Sequence, residues 1–130
     1  MRTLLFLLFF GLEPPVEYGT LTIYRRRDYF DEGFVVKINK VLVSKSFSNN
    51  ELIVVEVPVG KAIIETSGGY ITDKQTYTIT VKANETIYLK GVVDYDYFSN
   101  TLYLKRIAPN KALPELTKLS QNAQLVKKVE

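Results

Sequence analysis

From Gly19 to Ile107 the sequence is cut into short runs that alternate polar and apolar residues, each closed by a turn signal. This pattern constrains the fold more than any other feature, because a side-chain period of two suits a strand and not a helix. Thr20-Leu21-Thr22-Ile23-Tyr24-Arg25 places Leu21 and Ile23 on one face. Phe34-Val35-Val36-Lys37-Ile38 is a second strand, and Asn39-Lys40 turns it tightly into Val41-Leu42-Val43-Ser44 as a hairpin. Ser48-Asn49-Asn50 is a further turn. Leu52 to Val57 is nearly continuous apolar and reads as a well-buried strand, broken by Pro58-Val59-Gly60 before its partner, Lys61 to Thr66. Thr76 to Val81 alternates cleanly, with Tyr77, Ile79 and Val81 inward. Ala83-Asn84-Glu85 makes a turn in which Asn tolerates the left-handed conformation. Thr86 to Val93 and Asn100 to Ile107 complete the set.

Seven or eight short strands separated this way predict a mostly β fold, an antiparallel β-sandwich. After Pro109 the pattern changes. Leu116, Leu119, Ala123 and Val126 recur at helical spacing, Pro114 suits a first helical turn, and Lys127 and Lys128 suit a helix C-terminus. The expected organisation is therefore a leader over residues 1–18, a sandwich over 19–108, and a C-terminal helix over 109–130 packed on the same domain.

The leader is read from Arg2 followed by Leu4-Leu5-Phe6-Leu7-Leu8-Phe9-Phe10. One cation before a short apolar block is the pattern of a signal peptide, and the block is short of the ~20 apolar residues that span a bilayer. No small-x-small cleavage triplet follows it, so an uncleaved N-terminal anchor is the alternative. The expected location is outside the cytoplasm, in the periplasm or cell envelope, tethered to the membrane where the segment is retained.

Composition narrows the chemistry. The chain has 130 residues, a formal charge of +3, no Cys, no His and no Trp. Without Cys there is no disulfide, thiolate nucleophile or lipidated Cys. Without His the common zinc sites and the Ser-His-Asp and Cys-His mechanisms are excluded. Catalysis would have to rest on carboxylates, Lys, Tyr or a metal site without His, and no cofactor, metal site or nucleic-acid partner is implied.

Three stretches resemble short bacterial envelope domains, many of them lipoproteins. Leu21-Thr22-Ile23-Tyr24-Arg25 resembles that family's opening strand. Val57-Pro58-Val59-Gly60-Lys61 resembles its Pro-x-Gly turn, which PEGA-type surface domains also carry. Asn84-Glu85-Thr86-Ile87-Tyr88-Leu89-Lys90 resembles its later turn and Tyr-containing strand, with Asn84 where Gly is more usual. The resemblance covers roughly Gly19 to Ile107. It implies a sandwich of the transthyretin or carboxypeptidase-regulatory-domain type, exported and without known catalysis. The missing lipidation Cys departs from the pattern.

Two constellations are candidate sites. Arg25-Arg26-Arg27, with Tyr24 and Tyr29 alongside, has the chemistry to grip phosphate, sulfate or polysaccharide carboxylates. The simpler reading, which we favour, is a solvated strand end balanced by Asp28, Asp31 and Glu32. Asp94-Tyr95-Asp96-Tyr97 places two carboxylates on one strand face, as Ca²⁺ binding or glycoside hydrolysis would need. There the favoured reading is a polar loop between two strands. The expected function is a non-catalytic envelope module that binds or scaffolds an unidentified envelope protein. The alternatives are a reader of polysaccharide or anionic lipid surfaces through Arg25 to Arg27, and a small hydrolase using Asp94 and Asp96.

Overall fold

The computed structural model describes residues 16–27, 32–68, 74–95, 100–119 and 123–128, the last of these by backbone alone. Eight strands precede the helix: β1 (Tyr18–Arg25), β2 (Phe34–Ile38), β3 (Val41–Phe47), β4 (Leu52–Pro58), β5 (Gly60–Ser67), β6 (Gln75–Val81), β7 (Thr86–Tyr95) and β8 (Asn100–Ile107). They stack as two sheets, so the β-sandwich expected from the alternation is what forms. One sheet has the order β3-β2-β5-β6. The other runs β8-β7-β1-β4 and is completed by a ninth strand, β9 (Ala123–Lys128).

Strand faces follow the sequence period. Leu21, Ile23, Ile53, Val55, Val57, Ile87 and Leu89 meet Phe34, Val36, Ile38, Phe47, Ala62 and Ile64 in one buried core. Tyr77 and Ile79 are half-buried against it, while Thr76, Thr78 and Thr80 between them are exposed. The turns also sit where their chemistry puts them. Asn39 and Lys40 have φ of 49° and 68°, and Asn84 has 60°. Two consecutive positive values make the type of hairpin turn whose twist matches the strands. Gly60, the first residue of β5, has φ 115° and open space where a Cβ would be.

The pairing departs from an all-antiparallel sandwich at two places. β1 pairs in parallel with β7, Leu21 opposite Ile87, and β4 pairs in parallel with β9, Leu52 opposite Ala123. Alternation specifies which face a residue takes, not which strand lies beside it. β4 also alternates: Ile53, Val55 and Val57 are buried, Leu52 and Val54 are half-buried, and Glu56 is exposed.

The C-terminal helix forms but is shorter than expected. α1 spans Pro109–Thr117, with Pro109 in its first turn and Pro114 in its interior. The chain then returns as β9 rather than continuing as helix to residue 130. Pro114 costs an interior hydrogen bond. Pairing Ala123–Lys128 with the open side of β4 instead satisfies two rows of backbone groups. The lysines assigned to a helix end, Lys127 and Lys128, lie in this strand.

α1 crosses the outer face of the larger sheet and explains why β1 is buried on both sides. Tyr24, Ala112 and Leu119 form a second buried cluster, with Leu52, Tyr88, Ile107 and Leu116 at its margin. The helix thus adds a third layer where it covers β1 and β7.

Candidate functional site

Strand directions sort the connections into two ends. Residues 39–40, 59 and 82–85 turn the chain at one end. The ends of β1, β5 and β7 and the 48–51 turn lie at the other, the loop end, where Arg25 and Asp94 of the two sequence-predicted constellations sit. Here β1 and β7, side by side and parallel, deliver Arg25 and Tyr95 to the same rim.

Arg25 is not a solvated strand end. It is 1% exposed and is the largest fully buried side chain among the described residues. Leu21, Ile23 and Arg25 share one face of β1 by the strand period, so the guanidinium enters the sandwich rather than solvent. Its carbon lies 5.3 Å from the ring centre of Phe34 and 5.9 Å from that of Phe47, within cation–π range. Nη1 donates to the backbone carbonyls of Glu32, at 2.7 Å, and of Phe47. Nη2 donates to Asn49 Oδ1 at 3.1 Å. One cation therefore ties the β1–β2 connection to the end of β3 and to the β3–β4 turn. Gly91, opposite Arg25 on β7, leaves it room: a Cβ there would stand 3.0 Å from Arg25 Cγ.

A second set of side chains extends the tie. Asn100 Nδ2 donates to the Glu32 carboxylate, joining the start of β8 to the start of β2. The Ser48 N–H donates to Glu51 Oε1 within the β3–β4 turn, where Asn50 has φ 58°.

The other predicted residues take separate roles. Arg26 Nε lies 3.7 Å from Glu115 Oε2 on α1. The same carboxylate accepts from the Tyr24 hydroxyl and from Lys90 Nζ, both at 2.9 Å. Burial and then the Glu115 carboxylate push the Tyr24 hydroxyl well above its ordinary pKa. Burial alone would raise Glu115. Lys90, Tyr24 and Arg26 outweigh it and hold the carboxyl below the usual range. This cluster clamps the helix to the sheet.

Arg27 is exposed, as is Asp94 near the end of β7, and Tyr95 is half-buried against the core. Tyr29, Asp96 and Tyr97 lie outside the described residues. The three arginines are therefore not one anion-binding row: the first is consumed in the interior, the second faces Glu115, and only the third stands in solvent. Sequence reasoning missed Glu32, Asn49, Asn100, Lys90 and Glu115, which carry no motif. It had the signal for Arg25 in the alternation itself, one step beyond Ile23.

No family model matches the chain, and no curated protein is significantly similar to it.

Proposed function

We propose that the protein is a non-catalytic, exported module of the cell envelope that binds or scaffolds a protein partner through the loop end of its sandwich. The observation that carries this reading is the Arg25 tie. A buried cation that fixes two connections and a strand end at one end of the sandwich sets the loops on a firm base, and binding surfaces are commonly loops held by a rigid scaffold. Export rests on the leader-like segment at Leu4 to Phe10, and kinship with PEGA-type or transthyretin-like envelope domains rests on the three resembling stretches. The rim presents both signs of charge in solvent, Arg27 and Asp94 with Lys74 beside Glu65, and such mixed polarity suits a protein surface.

Site-specific photo-crosslinking in intact cells tests the reading. Probes at Arg27, Ser48, Lys74 and Asp94 sample the loop end, and probes at Lys40, Val59 and Ala83 sample the turn end. One protein captured from the first set and not the second is expected. Equal capture from both ends, or glycan or lipid in place of protein, overturns it.

A further inference from the structure

Among the described residues the two sheets have four edge strands: β3, β6, β8 and β9. Exposed edges present unpaired backbone groups to any passing strand, and proteins blunt them with charges, bulges or covering contacts. Three of the four are blunted here. β3 carries Lys45, and its pairing with β2 shifts register twice. β8 carries Lys105 and Arg106, and its edge is stitched to the facing sheet: Thr66 Oγ1 donates to the Leu102 carbonyl, and the Leu104 N–H donates to the Tyr77 hydroxyl. β9 contains Lys127 and Lys128.

β6 shares one of these contacts, the Tyr77 hydroxyl that accepts from Leu104 N–H, and has no charge or bulge of its own. Gln75-Thr76-Tyr77-Thr78-Ile79-Thr80-Val81 contains no charge and no Pro. It pairs with β5 in seven consecutive positions without a bulge, and no strand lies on its other side among the described residues. Beside it runs a groove of about 600 Å³ lined by Tyr77, Ile79, Leu89, Leu104 and Arg106. The inward residues Tyr77 and Ile79 are left half-covered along this side.

The strand is also complementary to itself. Pairing two copies of β6 antiparallel about a two-fold axis at Thr78 sets Thr78 opposite Thr78, and Thr76 opposite Thr80, on the outer face. On the inner face it sets Tyr77 opposite Ile79 twice. Thr–Thr and aromatic–β-branched pairs are the favourable cross-strand combinations, and no like charges meet within the strand, the first to do so being Lys74 opposite Lys82 just beyond its ends. The inward side chains of the second copy would then close over the groove. From these observations we infer that β6 is a self-association edge, joining two copies of this chain into a two-fold dimer through one continuous eight-stranded sheet. This does not depend on what the loop end binds.

The absence of Cys makes the register directly testable on the full chain. Sedimentation equilibrium of the wild type is expected to give twice the chain mass of 14.9 kDa. Thr78→Lys, which sets two cations face to face at an exposed position, is expected to halve that mass while leaving circular dichroism unchanged and making melting independent of protein concentration. Under oxidation Thr78→Cys should cross-link to itself, because directly opposed residues bring their Cα atoms to ~4.5–5.5 Å. Thr76→Cys and Thr80→Cys should cross-link only when mixed. A monomeric wild type, a dimer that survives Thr78→Lys, or equal self-linking at all three positions overturns the proposal.

Discussion

The two ends of the sandwich are closed by different means. At the turn end backbone bonds do most of the closing, with the Asn39 and Glu85 side chains each accepting one more, from the Ile63 and Lys82 N–H groups. Val59 N–H donates to the Glu17 carbonyl at 3.0 Å, Asn84 N–H to Tyr18 at 2.9 Å, Thr20 N–H to Glu85 at 2.8 Å and Asn39 N–H to Ile63 at 2.8 Å. At the loop end one backbone bond, Arg25 N–H to the Glu51 carbonyl, is joined by more side-chain bonds: Arg25 on the Glu32 and Phe47 carbonyls, Glu51 on Ser48, and Asn100 on Glu32. Backbone closure depends little on which residues occupy the turn, beyond those that accept positive φ. Side-chain closure concentrates the same work in a few irreplaceable groups, and it leaves the loops above them free to vary in sequence. The turn end thus spreads its closure over several backbone bonds, whereas the loop end rests on Arg25, which makes that one side chain a matter of stability.

The sharpest way to break that comparison is to remove Arg25. Arg25→Ala deletes a buried cation, strips hydrogen bonds from two carbonyls and opens a cavity between Phe34 and Phe47. Losing a buried, hydrogen-bonded charged group typically costs ~3–5 kcal/mol, which urea denaturation would read directly. Arg25→Met separates the two contributions, since it keeps most of the volume without the donors. A Met variant close to wild type would mean that Arg25 fills space rather than ties loops.

Next in size is the clamp that holds α1. Tyr24→Phe removes the hydroxyl from Glu115 and leaves the ring in place. The expected loss is ~1.5–3 kcal/mol, the range for a hydrogen bond to a charged group. The linkage has a defined sign on each side. Glu115 is held below the usual carboxylate range, so its contribution is present at neutral pH and is lost as pH falls below that range. Tyr24 is pushed upward, so its contribution is present at neutral pH and is lost as pH rises past about 10, the ordinary Tyr value. Wild-type stability should decline toward both extremes. Glu115→Gln should flatten the acid limb, and Tyr24→Phe the alkaline limb. Unchanged slopes in both variants would remove the clamp from the account.

Much of this architecture is legible in the sequence because it is local. The faces of β1 and β6 follow from alternation, and the positive φ of Asn39 and Asn84 follows from turn chemistry. What is not legible is non-local. Nothing in β1 says that its neighbour is β7 in parallel, and nothing in Ala123–Lys128 says that an open side of β4 waits for it. The apolar spacing of Leu116 to Val126 fits a helix, and the competing pairing energy is invisible until β4 is in place. Arg25 misled for another reason. Its neighbours Arg26, Arg27 and Asp28 look like a solvated run, although the strand period separates Arg25 from the residues beside it.

The smallest expected effect lies at the turn end. Asn84 holds φ 60° between β6 and β7, and its N–H donates to Tyr18, tying the turn to the start of β1. Asn84→Ala puts an ordinary side chain in the left-handed region, where non-glycine residues other than Asn and Asp incur roughly 1–2 kcal/mol. The backbone hydrogen bond itself survives the substitution, so the loss should stay near the lower figure. Asn84→Gly removes the steric conflict, while the freer unfolded chain offsets part of the gain, and should stand close to wild type. The order of the two ends is the decisive quantity. A loss at Asn84→Ala larger than that at Arg25→Ala would place the structural burden at the turn end. A loss about a third as large fits an end whose closure is written in its backbone.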